Sequence, residues 1–554
     1  MRFPNITRFL TGVAIPVSSL RSQSSCGVGE FPDLVLLGEW CRRTGLDLIQ
    51  ILPVNDTGLD PSPYNAQSAF ALNPVYIRLE DVPGWDICRD DIRKARGCFE
   101  GAERLQYGSV LRFKMEMLHR IFQHNQPGIA DDETLRHWMS RNHWLAAYSE
   151  FRGRTNGLFT AWIQYHLDRQ LRDAALKLQA MGIALKGDIP ILLSAESVDV
   201  RVNPSLFDTE RRVGAPPDMF SKEGQNWRFP SFHWPEMERD GFAWWRERLD
   251  RASGFYHACR IDHVLGFFRI WVIPEAEESA SLGYYTPARR ISADELSQDA
   301  GLGAGEIEEL LQSHALVRAE AGYAPAWHWH DSPAFMRLGE GKRSRLRTLI
   351  EAYWNGQEKL WREHGRKLLG AITKSTDMLM CAEDLGVVPA CVPEVLEELG
   401  LLGLRVERWG DGSGRHPGKF PRLTVSTTST HDTSTLRGWW QEQGWNRHEY
   451  FGWLNLPGSC PDYLTTEVCA AILERNLNSN SLIAVFPLQD LFALHYDLRT
   501  PDPADERINV PGVESAGNWT YRMKLPIESL LAYGLYNDYL KEFIARRRNR
   551  APRD

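Results

Sequence analysis

Short apolar runs that end in polar residues recur along the whole chain. In order they are GVAIPVSS (12–19), LDLIQILPVND (46–56), GIALKGDIPI (182–191) and HACRIDH (257–263). The second half adds DMLMCAED (377–384), GLRVERW (403–409), TVSTTSTHD (424–432) and LIAVFPLQD (482–490). Many are continuous rather than alternating, the pattern of parallel strands covered on both faces. Stretches with helical spacing lie between them, such as FPDLVLLGEWCRRTG (31–45) and CVPEVLEELG (391–400). Eight strands interleaved with helices predict an α/β fold, a (β/α)8 barrel. A barrel of this kind takes about 250 residues, and the chain has 554, so much of it must be insertion. Residues 1–554 read as one barrel unit with large, mainly helical insertions between strands. Residues 85–170 are helix-rich and polar. Residues 275–375 hold a Gly/Tyr/Pro loop, a capped SADELSQDAG helix and a long amphipathic stretch.

In a barrel the chemistry sits at the C-terminal ends of the strands, which explains an awkward feature. Arg260, Asp262 and His263 fall within four positions at the end of an apolar run, where burial of each charge is costly. At an open barrel end they face a pocket instead. Other runs end alike, in Asp56, Asp188, Glu383 with Asp384, Asp432 and Asp490. Glycoside chemistry needs two carboxyl groups facing one bond, one to attack or activate water and one to protonate the leaving oxygen. Spacing alone does not choose the pair.

Composition sharpens this. The chain has 20 Trp, 17 Tyr and 23 Phe, several beside Gly, Asn, Gln or Asp, and such rings suit ligands with alternating apolar and hydroxyl faces. There is no GxSxG elbow, no Walker A sequence and no GxGxxG after a strand, so acyl-transfer, P-loop and dinucleotide readings lose their signatures. A net charge of −8 argues against a nucleic-acid surface, and the basic run ARRRNR (545–550) reads as a solvated tail. Nine cysteines, an odd number without CxxC pairs, point to reduced thiols in a cytoplasmic protein. No apolar run approaches the ~18–20 residues of a membrane span. MRFPNITRFLTGVAIPVSSL lacks a small-residue cleavage pattern and serves better as a first strand. WHWH (327–330) offers a His-x-His pair without an obvious third ligand, so no metal site is expected there.

The blocks CRIDHVLGFFRIW, CAEDLGVVP and TSTHDTSTLRGWW resemble the three catalytic signatures of the 4-α-glucanotransferases (amylomaltase or disproportionating enzyme), glycoside hydrolase family 77. LIQILPVNDTG with SPYNAQSAFALNPVYI, GDIPILLSAESVDVRVNPSLF, GAPPDMFSKEGQNWRFP and INVPGVESAGNWTYR continue the resemblance over almost the whole chain. It implies retaining transfer between α-1,4-glucans or maltooligosaccharides, with no nucleic-acid or membrane partner. By the same resemblance Asp262 matches the nucleophile, Glu383 the general acid/base, and Asp432 the third carboxylate that holds a distorted sugar. Arg260 matches the arginine beside the nucleophile and His431 a hydroxyl binder; Tyr64, Asp218 and Trp227 match residues lining the glucan cleft.

Physical chemistry agrees with these roles. Arg260 favours an ionised Asp262, whereas burial and neighbouring carboxylates raise the pKa of Glu383, as a general acid needs. Net retention follows for a pair about 5–5.5 Å apart. Carboxyl groups alone can carry protonation and covalent capture, so no cofactor is expected. Asp384 points to the opposite face if its strand continues and reads as structural, and Cys259 and Cys381 as buried thiols. His263 reads as orienting its strand end. After Arg-Ile-Asp-His much of the family has Phe-Arg-Gly; this chain reads Val264, Leu265, Gly266, Phe267, which resembles the branch of the plant cytosolic disproportionating enzyme. EESASLGYYTPARR (277–290) is expected to be a lid, Gly283 giving flexibility and Tyr284 and Tyr285 stacking surfaces. A hydrolysing amylase or glucosidase, and an inactive glucan-binding protein, are the competing readings.

Overall fold

The computed structural model describes residues 8–153, 157–217, 221–409 and 416–548. Eight parallel strands form its centre: β1 (Leu10–Ala14), β2 (Leu48–Gln50), β3 (Ala184–Ile189), β4 (Ala258–Ile261), β5 (Leu379–Ala382), β6 (Gly403–Val406), β7 (Thr424–Thr427) and β8 (Ile483–Pro487). Seven neighbouring pairs are joined in chain order, with β8 returning to β1. The circuit closes between β5 and β6, where Ala382 N–H donates to the Leu402 carbonyl at 2.7 Å and Leu402 N–H to that of Met380 at 3.1 Å. This is the (β/α)8 barrel that the apolar runs predict.

The strands are short, and most are rich in Val, Ile, Leu and Ala, which suits a surface covered on both sides; Thr424–Thr427, with sequence TVST, is the exception. Inside the barrel, small and medium side chains such as Ala184, Cys381, Val425 and Val485 pack together. Outside, the helices close over a larger layer. Asp33–Thr44 shows why: Leu34, Leu37, Trp40 and Cys41 recur at helical spacing and are buried. The helix stops where Gly45 adopts a left-handed φ of 81° and returns its N–H to the Cys41 carbonyl, a conformation that glycine takes without steric cost.

Between β2 and β3 lie five helices, Arg89–Glu100, Tyr107–Asp131, Glu133–Ser140, Trp144–Phe151 and Gly157–Ala180. Lys114 ties them to the barrel. Its ammonium is wholly buried and donates to Glu30 Oε1 at 2.6 Å and to the carbonyls of Val75 and Ile77 at 2.7 and 2.8 Å. All three of its donors are thereby satisfied, as a buried charge requires.

A four-stranded antiparallel sheet adds a layer that the helical pattern did not foretell. In spatial order its strands are Gln225–Phe232, Phe207–Ala215, Ile270–Pro274 and Tyr284–Thr286. The 277–290 stretch, expected to form a lid, supplies the last of these strands. Tyr284 and Tyr285 are buried in this sheet, and Tyr285 packs edge-on against Trp271 at 4.8 Å with the Arg269 guanidinium 3.8 Å over its ring. Gly283 has an extended backbone (φ −76°) and is needed for close approach: a Cβ there would lie 2.3 Å from Trp271 Nε1. Among the described residues no helix is long and apolar enough to cross a membrane.

Candidate active site

Register brings the charged residues to one level. Ile189 of β3 pairs with Ile261 of β4, and Ile261 with Ala382 of β5. The ladder runs one step further, Asp262 N–H donating to the Ile189 carbonyl at 3.1 Å and Glu383 N–H to that of Ile261 at 3.0 Å. Asp262 and Glu383 therefore leave adjacent strands side by side. His263 then turns the chain with a left-handed φ of 41°, and its freed N–H donates to Glu383 Oε2 at 2.8 Å.

Arg260 is the hub. Its Nη1 donates to both oxygens of Asp188 at 2.9 Å and lies 2.9 Å from Asp262 Oδ1, while Nη2 is 3.8 Å from Glu383 Oε2. Asp188 precedes the last residue of β3 and is fully buried; Tyr64 donates its hydroxyl to Asp188 Oδ2 at 2.8 Å. Burial alone would push the guanidinium toward neutrality, but the surrounding carboxylates hold its pKa well above the ordinary arginine value.

Glu383 differs from its neighbours. Its side chain is 12 % exposed, and burial pushes its carboxyl up to about 7. Arg260 opposes the shift, Asp262 adds to it, and the N–H groups of His263 and Leu385 (2.9 Å to Oε1) oppose it. A group that titrates near neutrality can both give and take a proton there.

Asp432 comes from the loop after β7. Asn509 Nδ2 donates to its Oδ1 at 2.7 Å and His431 Nε2 lies 3.1 Å from its Oδ2. Burial works against the charge of Asp432, yet His431 and Asn509 outweigh it and hold the carboxyl at about 2. The same contact raises His431 against its own burial. Tyr64 stacks on His431, 5.2 Å between centroids and 18° between planes, and Trp519 leans on both rings at 5.7 and 5.8 Å. Across the cleft, Trp227 meets His263 edge-to-face at 5.0 Å. Burial lowers His263 to about 4, so its ring is neutral at pH 7.

Apart from the sealed Asp188, these side chains line one cleft of about 2090 Å³, beyond the roughly 300–1,000 Å³ of a pocket for a single drug-sized ligand. Seven of the eight residues singled out from the sequence are brought to it: Asp262, Glu383, Asp432, Arg260, His431, Tyr64 and Trp227. Asp218 lies outside the described residues. Other strand-end acids serve the loops. Asp56 accepts from Tyr148 and the Gly58 N–H, Asp384 from Arg405 and the Leu404 N–H, and Asp490 from Thr428, Ser429 and the Leu436 N–H. Asp188, Asn509 and Trp519 belong to the constellation but were not singled out. Asp188 gave a signal as a strand-end acid; Asn509 and Trp519 lie in the INVPGVESAGNW block without a distinguishing feature of their own. At WHWH the indoles of Trp327 and Trp329 pack on Trp271 and Phe335. Among the described residues no group of three or more His, Cys, Asp or Glu side chains is placed to hold a metal ion.

The family model described as 4-alpha-glucanotransferase matches residues 15–157 and 152–527. The 4-alpha-glucanotransferase DPE2 of Oryza sativa subsp. japonica is 32 % identical, over 94 % of this chain and 67 % of that protein. The 4-alpha-glucanotransferase of Chlamydia pneumoniae is 28 % identical over 96 % of this chain and 95 % of its own. Among solved structures, an amylomaltase from Streptococcus agalactiae in complex with acarbose has a TM-score of 0.70 at 20 % identity, covering 98 % of this chain and all of that one, a likeness of fold. The chain thus belongs to the 4-alpha-glucanotransferases of glycoside hydrolase family 77.

Proposed function

We propose that this chain transfers α-1,4-glucan segments between maltooligosaccharides or glucans by two successive displacements, with Asp262 as nucleophile and Glu383 as acid and base. In the first step protonated Glu383 gives its proton to the glycosidic oxygen. The Asp262 carboxylate attacks the anomeric carbon, the old C–O bond breaks, and one glucan leaves as an alcohol. In the second step Glu383, now a carboxylate, takes the proton of an incoming sugar 4-hydroxyl. That oxygen displaces Asp262 from the anomeric carbon. Two inversions give net retention. Asp432 holds hydroxyls of the sugar being transferred, beside His431, and Tyr64 and Trp227 give it ring surfaces; Asp218 is assigned to the cleft by family resemblance alone.

The observation that carries this reading is the shared guanidinium. Arg260 contacts Asp262 at 2.9 Å but Glu383 only at 3.8 Å, which supports a charged nucleophile beside an acid that keeps its proton. Nine free cysteines support a cytoplasmic location. Incubation with maltotriose is the test: glucose together with longer oligosaccharides is the expected product set. Glucose and maltose alone would mean hydrolysis, and no product from any α-glucan would mean a binding protein.

A further inference from the structure

Glu383 opens a loop that its own side chains hold poorly. β5 ends at Ala382, and the next helix begins at Cys391. On the near side Asp384 ties the loop to β6, accepting from the Leu404 N–H at 2.6 Å and from Arg405 at 2.8 Å. On the far side Glu358 accepts from the Ala390 and Cys391 N–H groups, both at 3.1 Å. Between these ties Gly386 takes a positive φ of 98°, which suits glycine, and Val387 and Val388 are 47 % and 38 % exposed. Packing therefore does not fix residues 386–388. Among the described residues one hydrogen bond reaches them: Arg269 Nη2 donates to the Val387 carbonyl at 2.9 Å.

That donor is itself immobilised. Arg269 immediately precedes the sheet strand Ile270–Pro274 and is buried. Its guanidinium carbon lies 3.8 Å from the ring centre of Tyr285 and 4.3 Å from that of Trp361. Tyr285 belongs to the antiparallel sheet, and Trp361 to the helix Glu358–Thr373, where its indole N–H donates to the Pro287 carbonyl at 2.8 Å. A guanidinium stacked on aromatic faces donates from its edges. Burial lowers the Arg269 pKa, and Tyr285 and Glu358 oppose the shift. The insertion thus reaches the loop of Glu383 through one well-held cation.

The consequence falls on Glu383. The Leu385 N–H meets Glu383 Oε1 at 2.9 Å only while the turn from 383 to 387 keeps its shape, and such a bond favours the charged carboxylate. The charged groups facing Glu383 are Arg260 and Asp262 from the adjacent strand; Asp384 is turned to Arg405. Burial chiefly, helped by Arg269 and Arg260 and opposed by Asp262, keeps His263 neutral.

We propose that Arg269 is a positioning residue for Glu383: by holding the Val387 carbonyl it fixes the turn whose Leu385 N–H meets Glu383 Oε1. Its part in transfer rests on the acid and base role proposed for Glu383.

Two readouts on Arg269→Lys and Arg269→Met test it. Lys keeps the charge without the planar fork, and Met keeps an unbranched apolar chain between the rings. In both, plateau kcat for transfer from maltotriose is expected to fall on the order of tenfold, with KM within about twofold of wild type. The alkaline limb of kcat/KM should move from about 7 to about 8, the effect of one lost hydrogen bond to a charged group. The second readout needs no turnover: the Glu383 carboxyl is followed by carbon NMR of glutamate-labelled protein, with Glu383→Gln as the blank, and should titrate higher in both variants. Wild-type kcat and titration in the folded variants would overturn the proposal. So would a lower kcat with an unmoved Glu383 titration, the mark of a merely structural role, or a raised KM alone, the mark of a sugar contact. Wild-type behaviour of Arg269→Lys beside an altered Arg269→Met would mean that charge alone acts, and would overturn it as well. Where Arg269→Met does not fold, Arg269→Lys decides by the same readouts. Turnover retained in Glu383→Gln would sink the acid and base reading, while a Glu383 titration moved by Arg269→Lys would leave the positioning standing.

Discussion

Burial opposes the ionisation of Glu383, and the cost is measurable as stability. Its carboxyl is shifted from the ordinary 4.5 to about 7, chiefly by desolvation. The native protein therefore keeps a proton that the unfolded chain has already released between those two pH values. Stability must fall as pH rises through that window and stay lowered above it; below about 4.5 the effect vanishes. A shift of this size is worth on the order of 3 kcal/mol at full ionisation, and between pH 5 and pH 8 roughly 2–3 kcal/mol of it develops. Glu383→Gln stays neutral throughout. Its single carbonyl oxygen can accept from only one of the two N–H groups, of His263 and Leu385, that Glu383 now satisfies. That loss costs about 1–3 kcal/mol at every pH. The informative quantity is thus the difference in melting midpoint between variant and wild type, compared at pH 5 and pH 8. With about 2.1 cal/mol/K of unfolding entropy per residue over 554 residues, the comparison should move in favour of Gln by about 2 °C at pH 8. The same titration places the alkaline limb of wild-type kcat/KM at about 7. A difference in midpoint that is equal at both pH values would refute the reasoning.

Three further outcomes are expected. Glu383→Gln should lose turnover by a factor of about 10²–10⁴ while still binding maltooligosaccharide by calorimetry; wild-type turnover would remove Glu383 from its role. Asn509→Ala takes away the 2.7 Å hydrogen bond to Asp432, and a charged hydrogen bond of about 1.5–3 kcal/mol translates into a kcat lower by at least tenfold; an unchanged kcat with unchanged circular dichroism would mean that Asp432 needs no such anchor. Gly283→Ala would force a Cβ against Trp271, 2.3 Å from Nε1, and should destabilise the protein by about 1–3 kcal/mol. A wild-type melting midpoint in that variant would restore the view of Gly283 as a free hinge.

The barrel was legible because its strands obey a local rule. Runs such as LMCAED and ACRIDH are apolar and end in charge, and both faces of such strands are covered. The carboxylates were legible as strand-end acids for the same reason, since Asp262 and Glu383 follow their strands directly, but the choice of this pair among the strand-end acids came from the family resemblance. The antiparallel sheet was not. Phe207–Ala215, with sequence FDTERRVGA, is an inner strand of that sheet but carries four charged side chains, none of them buried, so its pattern resembles a solvated loop. Tyr284 and Tyr285 sit among polar and small residues in the sequence, and what buries them comes from elsewhere in the chain, Trp271, Trp354 and Trp361 around Tyr285. Asn509 meets Asp432 from 77 positions away, a distance over which no local period reports.

The geometry of the site also supports the carboxylate roles proposed above. Three carboxyl groups, of Asp188, Asp262 and Glu383, crowd one guanidinium, and one cation cannot fully compensate three anions in a partly dry cleft. Asp188 takes two of the contacts and is sealed from solvent. It acts as the anchor that fixes the arginine. Asp262 has the remaining close contact and the greatest exposure of the three, 24 %, which supports its proposed role as the group that meets an anomeric carbon. Glu383 is left with a 3.8 Å contact and two backbone N–H donors. Its carboxyl is pushed up to about 7, which supports its proposed role as the acid. When that proton passes to the leaving oxygen, Asp262 loses its own charge by forming the ester. The number of anions around Arg260 is therefore the same before and after each displacement, and the hub need not move for the acceptor to arrive.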